Sequence, residues 1–257
     1  MDEFESRFGG IARLYGLAGL HKLRAAHVCV VGIGGVGTWV VEALARSGIG
    51  ALTLVDLDEI CITNINRQLP ALTETVGRPK VEVMAGRVHG INPDCRVVCE
   101  QKFFNSQTAP ELLAPDFDFV CDAIDSVPNK VLLLAGCREK MLPVVAVGGA
   151  GGRRDATLVR VTDLAMVSHD RLLAEVRKKL RREFAFPGDG LPMNVDCIYS
   201  AEARVFAQPD GSVCGTRAEA DDGSRLNCNG GLGSATFVTG AFGFAAAGLI
   251  VRKIAER

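Results

Sequence analysis

The chain has 257 residues, 48% of them hydrophobic and 23% charged, with a formal net charge of -1. This length buries a full core in one large domain or two modest ones, and the balanced charge excludes a global basic field, so any contact with RNA has to come from a local patch. The acidic start, Met1-Asp-Glu-Phe-Glu, lacks the regions of a secretory signal, and nine cysteines (29, 61, 95, 99, 121, 137, 197, 214, 228) without one C-x-x-C pair predict reduced thiols, a cytoplasmic protein and no structural zinc.

Residues 28–31 are all apolar and end at Gly32, which predicts a buried parallel strand. A helix over 38–47 follows, stopped at Gly48 where a left-handed cap is natural, and then a strand over 51–55. Residues 80–92 read as a helix with Val81, Met84, Ala85, Val88 and Ile91 on one side. Short strands at 96–99, 117–121 and 144–147, with a helix at 129–140, complete an alternation that argues a doubly wound, mostly parallel α/β sheet. After Gly148-Gly149-Ala150-Gly151-Gly152 the pattern changes. A strand at 158–161, a basic helix at 170–182, a mobile connection near 183–194, a strand region at 196–206, a turn-rich loop at 211–223 and an apolar helix at 235–254 form a C-terminal α/β extension. The expected division is a core of 1–152 and an extension of 153–257 continuous with it. Residues 235–251 carry no charge. That run is short of the usual spanning length and lacks flanking anchors, so it reads as a core or dimer-face helix rather than a stable transmembrane segment.

Gly32, Gly34 and Gly37, with Gly35 between them, form a turn that offers backbone N–H groups and a helix N-terminus to phosphate. Asp56 follows about twenty residues later, where a carboxylate suits a ribose hydroxyl. Taken alone, these residues fit an NAD-linked enzyme. The next ones do not: Arg67 and Lys80 add two cations, and Asp125 stands where a later strand should end. Cations with a carboxylate at that end of a sheet suit a triphosphate and magnesium, because the charge growing on the leaving group must be neutralised.

The ordered set Gly32-Ile-Gly34-Gly35-Val-Gly37, Asp56-Leu-Asp58, Asn64-Ile-Asn66-Arg67-Gln68, Val76-Gly77-Arg78-Pro79-Lys80 and Asp125 resembles the ubiquitin-activating-type adenylyltransferases. That superfamily includes the molybdopterin and thiamine sulfur-carrier adenylating enzymes. Within it, the tRNA threonylcarbamoyladenosine dehydratase family is the nearest likeness, over nearly the whole chain. The segments that carry it are Arg7-Phe-Gly-Gly-Ile-Ala-Arg13-Leu-Tyr15-Gly16, Asp122-Ala-Ile-Asp125-Ser126-Val127, the glycine cluster at 148–152, Val195-Asp196-Cys197, and Cys228 followed by Gly230 and Gly233-Ser-Ala-Thr.

The resemblance implies a Rossmann-like fold with ATP held by Gly32, Gly34, Gly35, Gly37, Asp56, Asp58, Asn64, Arg67 and Lys80. It implies catalytic roles for Arg67, Lys80 and Arg13, and Mg2+ on Asp125. Asp58 fits a turn cap equally well, and Asn64 a loop brace. The family's N-terminal arginine reaches a partner subunit's ATP; Arg7 and Arg13 both fit, with Arg13 favoured. The activity implied is ATP-dependent cyclisation of threonylcarbamoyladenosine beside the tRNA anticodon, by a homodimer with a possible sulfur-trafficking partner. The alternative is adenylation of a ubiquitin-like sulfur-carrier protein, which the absence of paired C-x-x-C motifs disfavours. Arg171, Arg177, Lys178, Lys179, Arg181 and Arg182, extended by Arg153 and Arg154, are the candidate RNA surface. Cys197 and Cys228 have no visible activating base and are read as non-catalytic.

Overall fold

The computed structural model describes residues 3–216 and 232–257. Its centre is a seven-stranded sheet built from β1 (His27–Val31), β2 (Ala51–Val55), β3 (Arg96–Glu100), β4 (Phe119–Asp122), β5 (Val144–Val147), β6 (Val159–Asp163) and β7 (Asp196–Ser200). The spatial order is β3-β2-β1-β4-β5-β7-β6, parallel throughout except for the edge strand β6. The central strands are apolar without alternation because helices cover both faces: Val28, Cys29 and Val30 of β1 and Leu52 and Leu54 of β2 have no exposed surface.

One face carries α1 (Glu3–Ala25), α2 (Gly37–Arg46), α3 (Lys80–Ile91) and α7 (Thr236–Ala255). The other carries α4 (Ala109–Leu112), α5 (Val127–Glu139) and α6 (Arg171–Phe184). A two-stranded ribbon, β8 (Phe206–Ala207) with β9 (Val213–Cys214), lies outside the main sheet.

The doubly wound α/β architecture is the one the sequence predicts. Because β5 pairs with β7 and α7 packs on α2, the sheet runs without a break from the first half of the chain into the second. Helix α1 has no counterpart in the sequence reading; Gly16, at φ +74°, bends it, and Phe4, Phe8, Leu20 and Leu23 are buried. Helix α7 is long and apolar enough to cross a membrane, but 61% of its apolar window is buried inside the protein, as a core helix is.

The connection after α6 touches the rest of the fold at several points: Phe186 and Met193 are buried, Arg181 Nε donates to the Pro187 carbonyl at 2.9 Å, and the Met193 N–H donates to Asp163 Oδ1 at 2.9 Å.

Candidate active site

Strand β1 delivers the chain to Gly32 at the carboxyl end of the sheet, where the order of strands reverses between β2 and β4 on either side. Crevices at such switch points are where open α/β sheets bind ligands. Gly32 has φ +93°, and a Cβ there would lie 2.8 Å from the Ala123 carbonyl oxygen. At Gly37 a Cβ would run into the Gly32 carbonyl, so this glycine closes the turn itself. Gly34 differs, since a Cβ there meets nothing within 4 Å. Its outer side is open to a ligand.

Asp56 directly follows β2, and its Oδ2 accepts the Ile33 N–H at 2.6 Å while Oδ1 accepts the Asp58 N–H at 2.8 Å. The acid therefore shapes the glycine turn. Burial raises its carboxyl above the usual aspartate range, against the pull of the Lys80 ammonium and these two N–H groups. Lys80, the first residue of α3, is buried; its Nζ lies 2.7 Å from Asp58 Oδ2 and 3.9 Å from Asp56 Oδ1. The Lys80 backbone N–H also donates to the Asp58 carbonyl at 3.1 Å, which fixes the start of α3 beside the end of β2.

Between them, a single helical turn at Ile62–Asn64 carries the loop that presents Arg67. Asn64 is buried; its Oδ1 accepts the Cys61 N–H at 3.0 Å, and its carbonyl accepts the N–H groups of Arg67 and Gln68. These contacts make Asn64 a loop brace. The Arg67 carbonyl is held from two helices, by the Trp39 indole N–H at 3.2 Å from α2 and by the Thr239 hydroxyl at 3.3 Å from α7. Its guanidinium reaches the Thr63 carbonyl at 2.7 Å, and a Cβ on Gly35 would come within 3.5 Å of the Arg67 side chain. Arg67 thus borders the glycine turn.

Asp125 is exposed in the short segment between β4 and α5. That segment touches the glycine turn, because the Ala123 N–H donates to the Val31 carbonyl at 2.9 Å. Beneath it lies a pair that the sequence reading did not single out. Lys130 Nζ sits 2.8 Å from Asp122 Oδ1 and 3.2 Å from the Asp122 carbonyl, both side chains being fully buried. Asp122 Oδ1 also accepts the Ile124 N–H at 3.1 Å, so the pair sets the path of the Asp125 segment. The available signal was the Lys130 position, one turn into a helix that starts just after Asp122-x-x-Asp125.

Arg13 is exposed on α1 and makes no hydrogen bond or ion pair among the described residues, while Arg7 pairs with Glu3 at 2.7 Å. Neither is brought to the glycine turn of its own chain. Of the α6 cations, Arg177 donates to the carbonyls of Leu164 and Val167, and Arg181 to the Pro187 carbonyl. Arg171 and Lys178 remain without partners among the described residues, and Lys179 makes no hydrogen bond there but lies close enough to Glu183 to act on its charge. Arg153, expected to extend that surface, is instead 2% exposed and turned inward. Cys197 is buried, which pushes its thiol far above the ordinary range and leaves it inert. Cys228 lies outside the described residues. A groove lined by Leu134, Arg138, Met141, Phe186 and Met193 opens on the α5–α6 side.

A glycine turn at a switch point, a carboxylate at the end of β2 and two cations, Lys80 and Arg67, stand together at the carboxyl end of a doubly wound sheet. The chain belongs to the ThiF family, whose pattern matches residues 9–255. It is 46% identical to the Escherichia coli tRNA threonylcarbamoyladenosine dehydratase over 98% of this chain and 95% of that one. It is 45% identical to the Haemophilus influenzae enzyme of the same name over 100% of this chain and 96% of its relative. The fold superposes on the E. coli enzyme in complex with ATP with a TM-score of 0.87, at 43% identity, covering 99% of this chain and 96% of that one.

Proposed function

We propose that this protein is an ATP-dependent tRNA threonylcarbamoyladenosine dehydratase. The observation that carries the reading is the convergence of Asp56, Lys80 and Arg67 on the glycine turn, in a chain that matches the E. coli dehydratase over its full length. A free carboxylate is a poor electrophile. Transfer of its oxygen to the α-phosphate of ATP forms an O–P bond, releases pyrophosphate and leaves AMP as the group to be expelled. Attack on the carbonyl carbon by a nitrogen of the same side chain forms the C–N bond, breaks the bond to AMP and loses the nitrogen's proton, for a net removal of one water. Holding the two reacting groups in one side chain supplies much of the acceleration. The protein then has to bind, neutralise charge and exclude water.

In this reading the backbone N–H groups of Gly34 and Gly35 face the phosphates, Asp56 holds the ribose, and Lys80 and Arg67 offset the charge that grows on pyrophosphate. Asn64 and Asp58 shape the loop and orient Lys80. Asp125, a lone exposed carboxylate beside the glycine turn, fits Mg2+, which takes one or two carboxylates together with substrate phosphates. Bound there, the ion would supply further neutralisation of the phosphates. Among the described residues there is no cluster of three or more metal-ligating side chains, so the nucleotide must provide most of the ligands.

A homodimer is supported by the exposed apolar residues of two helices that pack together, Leu14 and Leu17 on α1 and Phe237 and Phe244 on α7. Such a face would let Arg13 reach the ATP of a second copy. We place the enzyme in the cytosol on its cysteine usage, the cysteines among the described residues all being free thiols.

The test is incubation of threonylcarbamoylated tRNA with enzyme and ATP, followed by mass spectrometry of the nucleosides. Loss of one water from the modified adenosine, together with AMP formation, is expected. An unaltered nucleoside overturns the reading.

A further inference from the structure

Two arginines on the other side of the crevice have buried donors without a partner among the described residues. Arg153 directly follows the Gly148–Gly152 turn at the carboxyl end of β5, and Arg204 lies beyond the end of β7. Arg153 is 2% exposed; its Nη2 donates to the His169 carbonyl at 2.6 Å, but Nε and Nη1 are buried without a partner among the described residues. Arg204 Nε is buried and unpartnered in the same sense. Each such donor costs the full desolvation of its group unless an acceptor arrives.

Two carboxylates, Asp170 and Glu202, stand beside this pair as counter-charges, but neither is hydrogen-bonded to the buried donors left over. Asp170 spends Oδ2 on the Gly149 N–H at 2.8 Å and Oδ1 on the Leu173 N–H at 3.0 Å, and comes only within 3.9 Å of Arg204 Nη2. Glu202 is committed to the N–H groups of Arg154 and Asp155 at 2.8 and 2.9 Å. A Cβ on Gly149 would run into the Arg204 guanidinium, so that glycine makes room for the arginine over the turn.

The pair is also tied to the nucleotide side. The Gly152 N–H donates to the Gly233 carbonyl at 2.7 Å, and the next carbonyl, of Ser234, accepts Asn66 Nδ2 at 2.8 Å. Asn66 in turn accepts from Arg67 at 3.0 Å. Strand β5 is two positions from β1 in the sheet, or about 10 Å at the usual strand spacing.

We propose that Arg153 and Arg204 form the pocket that receives the carboxylate of the modified nucleoside's side chain and holds it toward the nucleotide. A carboxylate presents two oxygens in one plane, which the guanidinium fork matches. Depth decides between this anion and a tRNA backbone phosphate. A phosphate flanked by two riboses cannot follow a path to a guanidinium with almost no exposed surface, whereas an acid at the tip of a slim side chain enters past Arg204, whose side chain is 18% exposed. The proposal rests on the dehydratase reading and adds the residues that recognise its acid.

The test compares threonylcarbamoylated tRNA with the same tRNA carrying the side-chain carboxylate as its methyl ester, binding each to the full-length enzyme without ATP. The wild type is expected to prefer the free acid by roughly tenfold or more, as for a charge-assisted pair. In Arg204→Gln that preference collapses toward one while the affinity for the ester stays, and Arg204→Lys restores part of it. ATP affinity, read in the same preparations, reports that the fold is intact. An unchanged acid-to-ester ratio in Arg204→Gln overturns the proposal, as does equal weakening of both ligands, which would mark a backbone-phosphate contact or a packing role. A wild type that fails to dehydrate its tRNA overturns the functional reading itself; one that dehydrates with an unchanged ratio in the variant sinks this inference alone.

Discussion

Trp39 donates its indole N–H to the carbonyl oxygen of Arg67 at 3.2 Å, so the helix that starts at the glycine turn also grips the loop that carries this arginine. Thr239 grips the same carbonyl from α7. Trp39→Phe keeps most of the packing and removes only that donor. It should cost about 1 kcal/mol of stability and weaken ATP binding several-fold without altering affinity for tRNA, as calorimetry and chemical denaturation would read.

Gly34 and Gly37 should separate binding from folding. Gly34→Ala adds a methyl group into open space, so the melting temperature stays close to that of the wild type while ATP affinity falls, because the methyl group occupies the phosphate side of the turn. Gly37→Ala pushes a Cβ into the Gly32 carbonyl and should lower stability by about 1–3 kcal/mol, the usual cost of overpacking. Thermal denaturation with and without ATP distinguishes the two.

Lys80→Met removes the ammonium between Asp58 and Asp56. Asp58 is 67% exposed and rehydrates, but the buried Asp56 loses its counter-charge, so stability at neutral pH should fall. Turnover should fall by roughly a hundredfold, in keeping with the loss of one charge-stabilising donor. The Asp56 carboxyl should titrate still higher, because the largest opposing influence on its burial is gone. Carbon-detected NMR titration of the side chain would show this.

The clamp between α2 and α3 sets a pH dependence. Burial raises the Glu42 carboxyl, but the two-pronged contact from Arg87 at 2.6 and 2.9 Å and the Arg46 bond at 2.8 Å prevail and hold it below the ordinary value of 4.5. A lowered carboxylate pKa in the folded state means stability that is fully present above pH 4.5 and lost as the pH falls through the folded value. Glu42→Gln should therefore destabilise the protein at pH 7 by about 1–3 kcal/mol. The difference from wild type should shrink on acidification below that point. Urea denaturation across pH 3–7 is the check.

Helix α6 should divide its cations into two behaviours. Lys178→Ala removes an unpartnered charge and should reduce the steepness of the salt dependence of tRNA binding by about one counterion, and Lys179→Ala, whose charge is partly offset by Glu183, by less. Arg177→Ala breaks bonds to the carbonyls of Leu164 and Val167, so its effect should appear as a lowered melting temperature. Binding measured over a series of salt concentrations separates them.

Much of the geometry of the candidate site could be read from the residues because it is local. A glycine turn after an apolar run, and an acid at the end of the next strand, each follow from a few consecutive positions. Asn64 resisted such reading because brace and ligand contact demand the same polar side chain, and its bond to the Cys61 N–H, three residues away, shows the bracing role. Arg153 looked like surface charge because inward burial of an arginine depends on Asp170 and Arg204, which are distant in the chain. The Asp122–Lys130 pair was hidden for a similar reason, since a lysine one turn into a helix ordinarily faces water. The stretch after α6 showed proline and glycine but not its contacts with Arg181 and Asp163.

The grip of Thr239 on Arg67 joins residues 172 positions apart. Contacts of such sequence separation form late, after the intervening chain has paid its loop-closure entropy. During synthesis the strands and the glycine turn emerge long before α7 does, and until that last helix docks the Arg67 carbonyl is held by Trp39 alone.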